Sequence, residues 1–204
     1  NKVVGGWTNA DLLGSGYLAF ADPTGSYIWV SLRPSSGMDV SGGVAVVDVS
    51  NWRVVKRIAT EDKSPIWIEF TGDGKKVFVS NGHHSNIAEI TTDGPIPTWK
   101  LVRHTQAGTA GPYGLRLNWD ETQLWASGKG EGSHNRGMMI GLADPVNMPS
   151  GWGHPGAWYT GCLRNDHATL NPSALDELWL SCNATFDVVV WDMVNKEVKQ
   201  RIPM

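Results

Sequence analysis

One stretch of the sequence decides the fold: Ser64-Pro-Ile-Trp-Ile-Glu-Phe-Thr-Gly-Asp-Gly-Lys-Lys-Val-Phe-Val-Ser-Asn81. Two apolar and aromatic runs flank a polar, glycine-rich turn, which is the pattern of two β-strands joined by a tight connection. The pattern recurs along the chain in four copies, which end at Ser31, Ser80, Ser127 and Ser181. The copies are 49, 47 and 54 residues apart. This spacing indicates a repeat protein whose unit has about 50 residues.

The remainder of each repeat contains two more strand-like runs. An apolar run such as Gly43 to Asp48 or Asp187 to Asp192 is followed by a more polar one such as Val54 to Ile58 or Glu197 to Ile202. Four short strands per repeat, with turn residues between them, predict one blade of a β-propeller. We therefore expect an all-β chain, residues 1–204, in a single β-propeller domain or part of one. The four antiparallel, four-stranded blades are predicted at about residues 16–58, 64–103, 111–159 and 165–202.

Aromatic residues occupy an equivalent place in each repeat, two positions before the shared serine. They are Trp29, Phe78, Trp125 and Trp179, and Trp is abundant overall, with 11 residues. Large rings at a repeated strand position favour packing between blades over stacking on a substrate.

Composition excludes several classes of protein. Charged residues make up 18% of the 204 residues and the net charge is -3, without a Lys/Arg-rich block. This balance argues against a nucleic-acid surface or an anionic-membrane anchor. The apolar runs are also shorter than the roughly 18 residues of a membrane-spanning helix.

The repeats resemble a known family. The run from Ser64 to Asn81, the run Gly111-Pro-Tyr-Gly-Leu-Arg-Leu117 and the later Val-x-Val-Asp segments are similar to the YVTN-type β-propeller repeat. That superfamily includes relatives of the propellers of dissimilatory haem nitrite reductases and of nitrous oxide reductase. The resemblance implies a seven- or eight-bladed ring of which this chain forms about half. A closed four-bladed ring, or a ring completed by another chain, are the alternatives.

Strand parity sorts the polar residues between the two ends of the propeller. In an antiparallel meander, the loop between the second and third strands and the loop leading to the next blade lie at the same end. We call this end the loop face. It is predicted to receive residues 32–40, 61–65, 81–85, 104–113, 128–136, 162–167 and 182–186, with five of the six histidines. His154 falls on the opposite face.

Histidines on the loop face are candidate ligands of a copper ion or a haem iron, since each blade of a propeller can offer one ligand from a rigid strand end. His167, which begins an innermost strand, is the first candidate, and His83 and His134 follow. Adjacent histidines in a strand point in opposite directions, so the pair His83-His84 is not a metal motif by itself. Surface histidines without a ligand are the alternative.

Three arginines on the same face, Arg33, Arg136 and Arg164, could bind the carboxylates of a cofactor or of an acidic partner. Ordinary ion pairs within loops are the alternative interpretation.

The two cysteines, Cys162 and Cys182, lie on one face in consecutive blades and could form a disulfide. A disulfide would indicate a periplasmic or extracellular location. Free thiols or soft copper ligands are the alternatives.

Three functions follow from these features. The first is a cell-envelope binding platform, which takes a protein partner or a small ligand on the loop face. The second is a redox enzyme or cofactor carrier that binds haem or copper through the histidines. The third is a hydrolytic propeller with a divalent ion held by central carboxylates such as Glu69 and Asp166. The sequence does not decide whether the protein is an enzyme.

Overall fold

The computed structural model describes residues 6–34, 42–129, 139–143 and 156–204, and of residues 139–143 it describes only the main chain. Strands dominate this part of the chain, with one four-residue helix, α1 (Asn9–Leu12), and one 3-10 turn, Ile96–Thr98. The prediction of an all-β chain without long helices is confirmed for these residues. None of their helices has the length and apolar character needed to cross a membrane.

The strands form four antiparallel sheets of four strands each, every sheet built from strands consecutive in the chain. We call them blades 1 to 4. Blade 1 contains β1 (Ser15–Ala21), β2 (Tyr27–Arg33), β3 (Gly43–Asp48) and β4 (Arg53–Ala59); blade 2 contains β5 (Pro65–Phe70), β6 (Lys76–Asn81), β7 (Asn86–Thr91) and β8 (Lys100–Gln106). Blade 3 contains β9 (Pro112–Leu117), β10 (Leu124–Gly128), β11 (Met139–Ala143) and β12 (Ala157–Tyr159); blade 4 contains β13 (Asn165–Asn171), β14 (Ala174–Cys182), β15 (Asp187–Asp192) and β16 (Glu197–Pro203).

Burial differs systematically across a blade. The central strand β3 is buried at five of its six positions, because both faces of the sheet are covered there. The outermost strands β8 and β16 are largely exposed instead. This gradient explains why the third run of each repeat reads as continuously apolar and the fourth as polar.

Polar side chains close the turns between the first and second strands. In blade 1, the Asp22 carboxylate accepts hydrogen bonds from the main-chain N–H of Tyr27 at 2.8 Å and of Thr24 at 3.2 Å. Gly25 has a φ of 70°, a conformation that glycine adopts without steric cost. The repeated polar turns of the sequence are therefore the hairpin connections that they were predicted to be.

Apolar clusters join each blade to the next. Trp29 packs against Ile68 and Val79 of blade 2, and Phe78 packs against Leu115 of blade 3. Trp125, fully buried, lies in the cluster formed with blade 4. The predicted packing of the repeated aromatic position between blades is confirmed at these three junctions. Burial of such large rings is the main apolar contribution to blade association.

The two end faces of the stack differ. On blade 1, Leu12 of α1 covers Val30, Leu32 and Ala45, and the Arg57 side chain donates to the main-chain oxygen of Leu12 at 2.9 Å. On blade 4, the opposite face carries the half-buried Trp179. In the described part of the chain, the four sheets are not closed into a ring.

In each of the four blades, a β-bulge interrupts the pairing of the inner strand with the second strand. The shared serine holds this bulge in place. The serine is on the neighbouring second strand, and its hydroxyl accepts a hydrogen bond from a main-chain N–H within the bulge. The pairs are Ser31 with Leu18 at 3.1 Å, Ser80 with Trp67 at 2.9 Å, Ser127 with Gly114 at 2.9 Å, and Ser181 with His167 at 3.0 Å. The repeated serine therefore fixes a bulge, and bulges re-aim side chains.

Two of these serines also link neighbouring blades. The Ser80 hydroxyl donates to the main-chain oxygen of Tyr113 at 2.7 Å, and the Ser127 hydroxyl donates to that of Asp166 at 2.9 Å. Each acceptor is the first bulge residue of the following blade. One side chain therefore positions two inner strands at once.

The disulfide predicted from the sequence is present. Cys162 and Cys182 are bonded, with their Cα atoms 5.2 Å apart, and both are fully buried. The bond ties the segment that enters blade 4 to the end of β14, on the loop face.

Candidate functional site

The bulges aim side chains from different blades toward one place on the loop face. The hydroxyls of Tyr17 in blade 1 and Tyr113 in blade 3 are 2.9 Å apart and share a hydrogen bond. Because these residues belong to blades that are not neighbours, this contact marks the axis around which the inner strands converge. We call the side chains around it the axial cluster: Tyr17, Arg33, Trp67, Tyr113, Lys129, Asp166 and His167.

His167 lies within this cluster, as part of the blade 4 bulge. Its ring centroid is 5.4 Å from that of Trp67 and 5.4 Å from that of Tyr113. The residue remains exposed to solvent. His167, the first candidate metal ligand predicted from the sequence, thus has two aromatic neighbours.

Two cations lie against the two tyrosines. The Arg33 guanidinium carbon is 3.8 Å from the ring centroid of Tyr17, and the Lys129 ammonium is 4.4 Å from that of Tyr113. Both distances are within the roughly 6 Å range of cation–π attraction. Each ring of the hydrogen-bonded tyrosine pair therefore has one positive charge against it.

The pKa of Tyr113 is raised, first by burial and then by its hydrogen bond with Tyr17; the charge of Asp166 raises it further. A raised phenol pKa keeps the hydroxyl neutral across the physiological range. Tyr113 therefore offers a neutral hydrogen-bonding group in the cluster, and the positive charges of Arg33 and Lys129 are not cancelled by a phenolate.

Asp166 adds one carboxylate to the edge of the cluster. It is 8% exposed, and its Oδ2 atom accepts a hydrogen bond from the Asn183 side chain at 2.7 Å. Its Oδ1 atom is buried and has no hydrogen-bond partner among the described residues. The cluster thus carries two cationic side chains and one anionic one.

Glu69, the other central carboxylate predicted from the sequence, already has partners. Its Oε2 atom is 2.7 Å from Arg116 Nη1 and its Oε1 atom accepts from the main-chain N–H of Leu117 at 3.1 Å. Burial raises the pKa of Glu69 in spite of the nearby Arg116 charge. This ion pair joins blades 2 and 3, which is a structural role.

A second group of polar side chains lies where blades 1 and 2 meet at the loop face. Asp62, in the segment between β4 and β5, lies beside His83 and His84, in the turn between β6 and β7. One potential ligand atom from each residue is within 4.8 Å of the others. We call these three residues the rim cluster. His83 and His84 converge because they lie in a turn, where the alternation that separates adjacent residues in a strand does not apply.

The other candidates of the sequence are placed apart from these clusters or outside the described residues. Arg164 is exposed in the turn that precedes β13, and the Nε2 atom of His104 lies 2.9 Å from the main-chain oxygen of Thr60. His134, Arg136 and His154 lie outside the described residues. Within the described residues, Arg33 and His167 share the axial cluster, whereas His83 belongs to the rim cluster.

Sequence reasoning missed the aromatic half of the axial cluster. Tyr17, Trp67 and Tyr113 all lie at or next to the bulge, near the start of an inner strand. Aligning the beginnings of the inner strands, rather than only the shared serines, would have revealed an aromatic residue near this position in three of the four repeats.

Comparison with known proteins supports the fold. No family model and no curated protein matches the chain. Among solved structures, hydrazine synthase from Kuenenia stuttgartiensis superposes on 100% of this chain with a TM-score of 0.74 and 16% identity. The match covers 53% of the hydrazine synthase chain, so this chain spans about half of its length.

A second solved structure, a functionally unknown protein from Desulfotomaculum acetoxidans DSM 771, has a TM-score of 0.60 and 11% identity. The match covers 92% of this chain and 71% of the other. At these identities the likeness shows a common architecture. Together with the four consecutive antiparallel sheets, it makes the chain a β-propeller.

Proposed function

We propose that this chain is a YVTN-type β-propeller of the cell envelope that binds an anionic ligand at the axial cluster on its loop face. One observation carries the proposal: Arg33 and Lys129 are held against two hydrogen-bonded tyrosines from blades 1 and 3. The ligand is a small carboxylate, or a carboxylate group of a larger partner.

Charge and geometry support an anion at this place. Neither Arg33 nor Lys129 has a carboxylate within ion-pair distance among the described residues. By contrast, Arg103, Arg116 and Arg201 are all paired. A guanidinium binds a carboxylate through two parallel hydrogen bonds, and the hydrogen-bonded pair of phenols leaves one neutral O–H donor. The rigid strand ends hold these groups in position before a ligand arrives.

The buried disulfide supports the envelope assignment. Structural disulfides persist in oxidising compartments such as the periplasm and are rare in the cytosol. The repeat pattern and the disulfide together support this assignment. The four blades, within residues 1–204, are proposed to form one propeller unit whose ring is completed by further blades or by another chain.

The test is isothermal titration of the purified protein with citrate, succinate and inorganic phosphate at low ionic strength. We expect saturable binding of a carboxylate, weakened about 10-fold or more in Arg33→Gln and in Lys129→Gln, because a hydrogen bond to a charged group contributes about 1.5–3 kcal/mol. Arg164→Gln is the matched control, since it removes an exposed arginine from the same face without touching the axial cluster.

Equal weakening in the control would indicate only a general effect of positive charge, and undiminished binding in the two cluster variants would rule out the axial site. An absorption spectrum of the same preparation addresses the second function. A Soret band or a copper absorption lost in His167→Ala would favour the cofactor carrier instead.

A further inference from the structure

The rim cluster combines the donor atoms of a metal site. Asp62 supplies a carboxylate, His83 and His84 supply two imidazoles, and their potential ligand atoms are within 4.8 Å of one another. His84 Nδ1 is already 2.9 Å from Asp62 Oδ2. Two imidazoles with one carboxylate are ligands that suit zinc and its neighbours among the transition metals.

The carboxylate is fixed before any ion arrives. The Asp62 side chain is 0% exposed. Its Oδ1 atom accepts from the main-chain N–H of Ser64 at 2.6 Å, and its Oδ2 atom accepts from that of His84 at 2.8 Å. A ligand held in this way loses little conformational freedom when it binds a metal.

The two segments that carry the ligands are locked together. The main-chain N–H of Gly82 donates to the Ser64 oxygen at 2.8 Å, and the Asn81 side chain donates to the Thr60 oxygen at 3.2 Å. A Cβ atom on Gly82 would lie 2.9 Å from the Cδ1 atom of Ile66, so glycine allows this close approach without displacing the end of that side chain. The spacing between the Asp62 segment and the histidine turn is therefore set by the fold.

The charge balance favours a cation between these groups. Among the ion pairs of the described residues, Asp62 faces a histidine and neither a lysine nor an arginine. A divalent ion would give this buried, hydrogen-bonded carboxylate a cationic partner. The imidazoles are exposed, with the His84 side chain 51% accessible, so an ion can reach them from solvent.

We propose that Asp62, His83 and His84 bind one divalent transition-metal ion of the zinc type. The ion takes the place of the hydrogen-bond proton between His84 Nδ1 and Asp62 Oδ2, and that proton is released to solvent. These two atoms are 2.9 Å apart, and two ligand atoms of a tetrahedral zinc ion are about 3.3 Å apart. A rotation of the exposed His83 side chain brings in the third ligand, and solvent completes the coordination. This site is separate from the axial cluster and does not depend on the anionic ligand proposed there.

The experiment is a titration of protein without a histidine tag with Zn²⁺, after dialysis against a chelator. We expect one equivalent to bind and to raise the melting temperature. A parallel titration with Co²⁺ should give visible bands whose intensity reports tetrahedral nitrogen and oxygen ligands. In the double variant His83→Ala/His84→Ala, the Zn²⁺ affinity should fall at least 100-fold, since even indirect disturbance of a metal site costs 10- to 100-fold.

His167→Ala is the matched control, because it removes one loop-face histidine outside the rim cluster and should leave Zn²⁺ binding unchanged. Circular dichroism of the double variant should match that of the unmodified protein, because both substituted side chains are exposed. Retained one-to-one binding in the double variant, binding lost in His167→Ala, or no saturable binding by the unmodified protein would each overturn the proposal. None of these outcomes depends on whether citrate binds at the axial cluster.

Discussion

The junction between blades 3 and 4 and the far face of blade 4 present the same sequence pattern in two environments. At the junction, Trp125 is fully buried and Ser127 is 1% exposed. At the far face, the equivalent Trp179 and Ser181 are only partly buried. The repeat supplies the same side chains at both places, and the neighbouring blade alone decides how much each contributes to stability.

The polar contacts differ in the same way. The Ser127 hydroxyl binds the N–H of Gly114 in its own blade and the oxygen of Asp166 in the next. The Ser181 hydroxyl accepts from the N–H of His167 within blade 4. At the far face the Trp179 indole donates to Glu177, which also meets Lys199. The far-face ring thus has a carboxylate as a polar partner, whereas the junction ring lies in an apolar cluster with only the Lys196 ammonium over it, 4.8 Å from its centroid, among the described contacts.

The tryptophan pair should give the largest difference. Trp125→Ala should lower the free energy of unfolding by about 3–5 kcal/mol, because it opens a cavity among Leu178, Leu180 and Trp191. Trp179→Ala should lower it by about 1 kcal/mol, since solvent already reaches that ring. Urea denaturation under oxidising conditions measures both values. Equal losses would mean that blade 4 is covered in solution by something equivalent to another blade.

The serine pair should give an intermediate difference. Ser127→Ala removes the partner of two buried main-chain groups, Gly114 N–H and Asp166 C=O, and should cost about 1–3 kcal/mol. Ser181→Ala removes a single bond near solvent and should cost about 0.5–1 kcal/mol. The same denaturation series provides the measurement. If Ser181→Ala proves the more damaging change, the hydroxyl acts mainly on the bulge and the link between blades is secondary.

The smallest effect should appear at Glu177, and only in acid. Hydrogen bonds from Lys199, Asn171 and Trp179 lower the pKa of Glu177 from 4.5 to about 2. Because the folded-state pKa is depressed, the stabilisation is complete above the unfolded-state pKa and is lost as the pH falls from about 4.5 toward 2. The stability gap between the unmodified protein and Glu177→Gln should therefore be constant near neutral pH and should shrink on acidification.

Thermal unfolding of both proteins between neutral pH and pH 3 measures this gap. The magnitude stays small because the Lys199 side chain is 48% exposed and solvent screens the pair. A gap that widens in acid would show that Glu177 does not stabilise the far face through its charge.

Much of the fold could be predicted because its causes are local. The alternation and the turn chemistry of each repeat specify strands and hairpins within about 50 residues, and parity alone assigns loops to one end. The disulfide between Cys162 and Cys182 could be predicted for the same reason, since both residues lie at strand ends on that face in consecutive blades.

The sites were harder to predict from the sequence, because they bring together residues that are distant along the chain. Tyr17 and Tyr113 meet only through the curvature of the whole stack, and the loop-face assignment gave no distance between them. His83 and His84 were discounted as a pair on a rule for strands, whereas they occupy a turn packed against the Asp62 segment. Parity identifies the end of the propeller on which a side chain lies but not its partners.

The sequence by itself determined a repeating, four-stranded β unit, its aromatic packing position and its shared serine, and it predicted one face for His83, His84 and His167. These depend on periodicity and short-range sterics, which are encoded residue by residue. Only the tertiary structure decided that the serine holds a bulge, that cations and tyrosines converge at the axis, and that Asp62 lies beside two histidines. Those arrangements depend on how neighbouring sheets stack, and stacking is set by the sum of many apolar contacts across blades rather than by any one stretch of sequence.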